Sequence, residues 1–113
     1  MAAITTAQLL YELRHACHHS SLVRIIEERI LDIEVLHVRI HLTIAETFIN
    51  VFYNLETDKT AFTLVQTGQR IYGMDNAKMG WHRHPFEDPN LHEPCSQESF
   101  AEFLQGVEKF FEV

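Results

Sequence analysis

Leu36, Val38, Ile40, Leu42 and Ile44 alternate with Val35, His37, Arg39, His41 and Thr43. A period of two held over this stretch predicts a β-strand with its first set of side chains in the core and its second on a polar face. Over 47–54, Ile49, Val51 and Tyr53 alternate with Phe48, Asn50 and Phe52. Apolar groups on both sides predict a central strand, or one whose second face a helix covers. Thr60–Gln66 and Arg70–Met74 read as two more strands, joined at Gly68-Gln69 and preceded by the polar turn Glu56-Thr57-Asp58-Lys59. Leu22–Leu31 fits a helix through Leu22, Ile25, Ile26 and Ile30, and a strand through Val23-Arg24-Ile25-Ile26. We read it as strand, because β-branched residues favour a pleated surface and a hairpin near Asp32 makes a short connection to the next strand. Short strands with short connectors predict an antiparallel sheet of four to five strands.

Helical spacing flanks this region. Thr5 and Gln8 stand at capping-box spacing, and Leu9, Leu10, Leu13, Ala16 and Cys17 then form one helical face. This helix is expected to stop near His18-His19-Ser20-Ser21, with His15, His18 and His19 as a polar helix end favoured by the dipole. At the other terminus Ser96 is expected to cap a last helix with Phe100, Phe103, Leu104, Val107 and Phe111 on its apolar face. Glu98, Glu102 and Glu108 make its wet face. The expected fold class is α+β in one domain over 1–113: an N-terminal helix, an antiparallel sheet, a His/Pro-rich loop and a C-terminal helix packed on the sheet.

Composition sharpens this in three ways. With 113 residues and 46% hydrophobic side chains the chain can bury one core and is too short for two. No run approaches the ~20 apolar residues of a membrane span, and no basic-then-apolar start resembles a signal peptide. A cytoplasmic setting is therefore expected, with Cys17 and Cys95 as free thiols. Charge is uneven: residues 1–84 hold eight of the nine Lys and Arg and nine of the sixteen Asp and Glu, a net −1. Residues 85–113 hold Lys109 and seven acids, a net −6. Such a balance argues against broad nonspecific nucleic-acid binding, which relies on cationic patches, but leaves space for a local site on the nearly neutral body.

Asp75–Cys95 is where chemistry concentrates. It holds the only Trp, all three prolines and three of the eight histidines, with no periodicity. Its aromatic and proline content argues for an ordered, functional loop over a disordered one. His82 and His84 are two apart, and Pro85 favours extended backbone at His84, so the two imidazoles share a side with Cα atoms about 6.6–7 Å apart. His92 joins them if the chain bends at Pro89. Such a set can ligate a metal, with Asp75, Asp88 or Cys95 completing the ligands. It can equally carry acid–base chemistry on a phosphodiester, His taking either proton role near neutral pH. In that case Arg70 or Arg83 stabilises the anionic transition state, Asp75 orients a histidine and Trp81 stacks on a base. A Cys95–His92 nucleophilic pair and a purely structural use of the histidines are the remaining options. His37, Arg39 and His41 form a solvent face, unless the loop folds over it and brings Arg39 and His41 to His82 and His84.

Taken together, Arg39-x-His41-Leu42, Tyr72-x-x-Asp75-Asn76-Ala77, His82-x-His84-Pro85 and His92 resemble the TumE family of toxins from bacterial toxin–antitoxin systems, over about Leu22 to Cys95. The resemblance implies a helix before a curved antiparallel sheet, growth arrest through RNA or translation, and silencing by a partner antitoxin with a helix-turn-helix. Carried over by position, it implies Asp75, His82, His84 and His92 as catalytic residues, with Arg39 a further candidate. Lys78-Met79-Gly80-Trp81 stands where that family has more histidines, and the acidic last quarter differs from a typical RNA-cleaving toxin. The expected function is thus a TumE-like toxin, a ribonuclease working by His acid–base chemistry without a cofactor, with RNA as substrate and a homodimer as a further expectation. The alternative is a noncatalytic protein-interaction or metal-binding domain, with zinc or another transition metal at His82, His84 and His92.

Overall fold

The computed structural model describes residues 4–76 and 80–112. Its elements follow the chain as α1 (Thr6–His18), β1 (Val23–Leu31), β2 (Val35–Leu42), β3 (Thr47–Asn54), β4 (Lys59–Gln66), β5 (Gln69–Asp75), β6 (His82–His84), β7 (Glu93–Pro94) and α2 (Phe100–Phe111). The strands form a single antiparallel meander in sequence order. Short turns dictate this topology. Between β4 and β5 only Thr67 and Gly68 intervene, with φ of 50° and 76°. Two successive positive φ values match the right-handed twist of the flanking strands, and glycine meets that requirement without strain.

Alternation decides which face is buried. Leu36, Val38, Ile40 and Leu42 of β2 join Ile49, Val51 and Tyr53 of β3, Phe62 and Leu64 of β4, and Tyr72 and Met74 of β5 in one core. Both helices cover that face. α1 contributes Leu9, Leu13 and Cys17, and α2 contributes Phe100, Phe103, Leu104 and Val107. Phe62 meets Phe100 edge-to-face at 5.6 Å, and Tyr72 stacks on Phe86 at 4.1 Å. Phe86 in turn stacks on Phe110 at 3.7 Å, tying the chain after β6 to α2. The α+β architecture is as the periodicities predict, and 22–31 is strand apart from Leu22.

Three expectations change in detail. Two strands beyond the expected count come from the Asp75–Cys95 segment: β6 pairs with β5, and β7 with β6. Strands of three and two residues are too short to show a period, and only pairing with a distant partner creates them. α2 begins at Phe100 with Ser99, not Ser96, as its cap. Ser99 Oγ accepts from the Glu102 amide at 3.1 Å while the Glu102 carboxylate accepts from the Ser99 amide at 2.8 Å, a reciprocal box that Ser96 lacks the partner to make. Glu98 therefore precedes the helix. Glu108 is not simply wet: it accepts a 2.6 Å hydrogen bond from the buried Ser20 at the end of α1. Thr5 caps α1 through the expected box with Gln8. Within the described residues no helix is long and apolar enough to cross a membrane.

Candidate functional site: a histidine cluster at the sheet edge

Register carries the histidines to the face that the helices leave uncovered. Gly73 of β5 stands opposite His84, and Asp75 opposite His82. Opposed residues share a face, so both imidazoles and the carboxylate project away from the Tyr72–Met74 core. Pro94 stands opposite His82 and Glu93 opposite Arg83. Continued by one residue, that register sets His92 beside His84. Between β6 and β7 the chain makes a turn closed by Asp88 N–H to the Pro85 carbonyl at 3.2 Å, and Arg70 donates to the Pro89 carbonyl at 2.9 Å. Gly73 has a direct part: a β-carbon there would lie 3.2 Å from the Phe62 carbonyl oxygen and 3.6 Å from His84 Cδ2. The tight contact is with the Phe62 backbone, while the His84 ring would be met at ordinary van der Waals distance.

The three rings form a compact group, with centroids 5.1 Å apart for His82 and His84, 5.0 Å for His82 and His92, and 4.6 Å for His84 and His92. Asp75 bridges two of them. Its Oδ1 lies 3.2 Å from His82 Nε2 and its Oδ2 lies 3.2 Å from His84 Nε2. His82 Nδ1 is 3.0 Å from the Gly80 carbonyl. A carbonyl only accepts, so that nitrogen carries the proton. His84 Nδ1 is buried and has no hydrogen-bond partner among the described residues. His82 and His84 are each 3% exposed, whereas His92 is exposed. Burial pushes His84 below the usual imidazole range; the Asp75 hydrogen bond opposes this, while the Arg70 and His92 charges add to it. The net effect disfavours the charged ring.

Asp75, His82, His84 and His92 thus come together, and Arg39 does not. Arg39, Asn50, Thr63, Gly73 and His84 form one cross-strand row on the helix-free face, so Arg39 shares that face. Four strand spacings separate it from His84, roughly 19 Å on a flat sheet. It stacks on Phe48 at 4.2 Å and bonds Asn50 at 3.2 Å, while His41 pairs with Glu27 at 2.9 Å. The loop does not bring these two to the cluster. Arg83 points to the opposite face and pairs with Glu93 at 3.4 Å, so Arg70 is the arginine whose charge reaches the cluster. Trp81 is partly buried and packs against the core. Cys95 also packs there and burial raises its thiol, so it neither meets His92 nor forms a ready thiolate. Ala77 and Lys78 lie outside the described residues. Asn76 is a latch: its amide donates to the Asp58 carbonyl at 2.7 Å and its side-chain oxygen accepts from Thr60 N–H at 2.9 Å, fixing the end of β5 beside Asp75. Gly73 escapes a motif reading, although a glycine inside a strand pattern is itself a sign of close approach.

No protein-family model matches the chain, and neither does any curated protein or solved structure.

Proposed function

We propose that the protein is a TumE-like toxin that acts on RNA through acid–base chemistry at the Asp75–His82–His84–His92 cluster. One observation carries this reading. The four residues on which the resemblance mainly rests, up to seventeen positions apart in the chain, converge on one carboxylate-bridged group of imidazoles. Structural histidines scattered through turns have no reason to meet in this way.

The chemistry follows from each environment. His92 faces solvent and is the member that a phosphodiester reaches first. Asp75 accepts from His84 Nε2–H and fixes the ring; a carboxylate behind an imidazole sets the tautomer and steadies positive charge as a proton arrives. Arg70, held at the Pro89 carbonyl, supplies positive charge beside the cluster for the anionic transition state. The acidity of residues 85–113 limits general affinity for RNA, so this reading calls for a restricted target. The partner it implies is an antitoxin with a helix-turn-helix.

The test is induced expression with RNA analysis, followed by purified protein on isolated RNA. Growth arrest and RNA shortening are expected, and His92→Ala, at an exposed position, should lower the cleavage rate by about 10²–10⁴-fold with the fold intact. Full activity in that variant, or no RNA cleavage by the wild type, overturns the reading. Burial of His82 and His84 favours a second reading, a noncatalytic domain in which the cluster is structural; it predicts loss of stability and no RNA cleavage by any form.

A further inference from the structure

One ring nitrogen of the cluster points its lone pair at a carboxylate when its ring is neutral, and a second has no partner for its lone pair among the described residues. His82 Nδ1 donates to the Gly80 carbonyl, so in the neutral ring Nε2 bears the lone pair, and it faces Asp75 Oδ1 at 3.2 Å, acceptor against acceptor. His84 Nε2 donates to Asp75 Oδ2, which leaves its Nδ1 with a lone pair, buried and without a partner among the described residues. An unsatisfied buried acceptor is destabilising, because it has given up water and gained no partner. One proton on His82 cures the first conflict and leaves the second. A cation that accepts several lone pairs at once cures both.

We propose that His82, His84 and His92 bind one divalent transition-metal ion of the zinc class, each through one ring nitrogen, with Asp75 beside them to offset its charge. These three offer ligand atoms that already lie within 4.8 Å of one another. Bonds of about 2.0–2.1 Å in tetrahedral array place nitrogens about 3.3 Å apart, so the set has to close by up to about 1.5 Å. His92, the exposed member, has the space to supply that movement. The Nδ1–H to backbone carbonyl bond of His82 is the outer-shell contact that ligating histidines ordinarily make, and it leaves Nε2 as the donor atom. An all-imidazole set selects zinc, cobalt, nickel or copper over magnesium or calcium, which take oxygen ligands. Three protein ligands leave one position for water on the His92 side, and such a water loses a proton near neutral pH. This part rests on the RNA-directed reading, with that water taking the proton-transfer role in place of the ligating imidazoles; the binding itself does not.

The whole chain is stripped with a chelator, dialysed and titrated with zinc chloride by calorimetry, and with cobalt(II) by visible absorption. The expected result is saturation at one ion per chain, tetrahedral cobalt bands, and at least tenfold weaker binding by His92→Ala at unchanged secondary structure. The exposed rings of His15, His18 and His19 are a second place where a metal can sit, with centroids 4.7 and 5.3 Å apart along the group. Equal binding by His92→Ala and the wild type locates the ion there and overturns the proposal, as does absence of saturable binding. RNA cleavage by the stripped protein in chelator overturns the role given to the bound water and leaves the RNA reading standing. Metal bound as described, with no cleavage in its presence, sustains the metal site and removes the RNA reading.

Discussion

Gly73 does more for the cluster than its lack of a side chain suggests. A β-carbon at this position would press on the Phe62 carbonyl and touch the His84 ring, so a larger side chain there meets both. Gly73→Val is expected to destabilise the fold by about 1–3 kcal/mol through overpacking, read as a lower urea midpoint, and to weaken zinc binding in the same protein. An unchanged midpoint would mean that the ring moves aside at no cost. The two thiols tell the opposite story, of chemistry suppressed. Burial pushes Cys17 up to about 12 and raises Cys95 as well, so both act as small apolar residues of the core.

Among the elements, β6 and β7 are the weakest held and the most consequential. Three pairs join β5 to β6, and two join β6 to β7. By contrast β2, β3 and β4 pair along nearly their whole length on both sides. Opening free energy follows such differences in cooperative pairing. Amides of β3 are expected to exchange only through global unfolding, and those of β6 and β7 faster, with zinc slowing the β6 and β7 amides specifically. Native-state hydrogen exchange with and without the ion measures this; uniform protection across the sheet contradicts it. β1 is the other edge, with Ile25, Ile30 and Leu31 exposed. Arg24, Glu27, Glu28 and Arg29 along it supply the charges that discourage pairing with a second sheet.

At the scale of the whole molecule the sheet separates two kinds of surface. One face carries the helices and the core. The other carries the row Arg39, Asn50, Thr63, Gly73 and His84, from β2 to β6, flanked by Phe48 and Val65 on one side and by Phe52 and Ala61 on the other. Arg39 shares a face with the cluster without sharing its field, because roughly 19 Å exceeds the ~10 Å Debye length at 0.1 M salt. Arg39→Ala is accordingly expected to leave zinc affinity within a factor of about two of wild type, as measured by the same calorimetric titration. A tenfold change would mean that the sheet curls to bring β2 toward β6.

Local chemistry is what the chain announced on its own. Thr5 with Gln8, the alternation through β2 and β3, and the apolar spacing of α2 are set within a few residues by helix and strand periods, so each was legible without a partner. The chemical identity of the site was legible too, because His82-x-His84 ahead of Pro85 dictates extended backbone with two imidazoles on one side. Tertiary structure alone decided the rest. Register between β5 and β6 placed the histidines on the helix-free face with Asp75, and a slip of one residue would have turned them into the core in place of Arg83. The same alternation sent Trp81 and Cys95 inward and kept Arg39 four strands away. Such outcomes depend on pairs distant in sequence, where packing of one face fixes the choice and no local pattern records it.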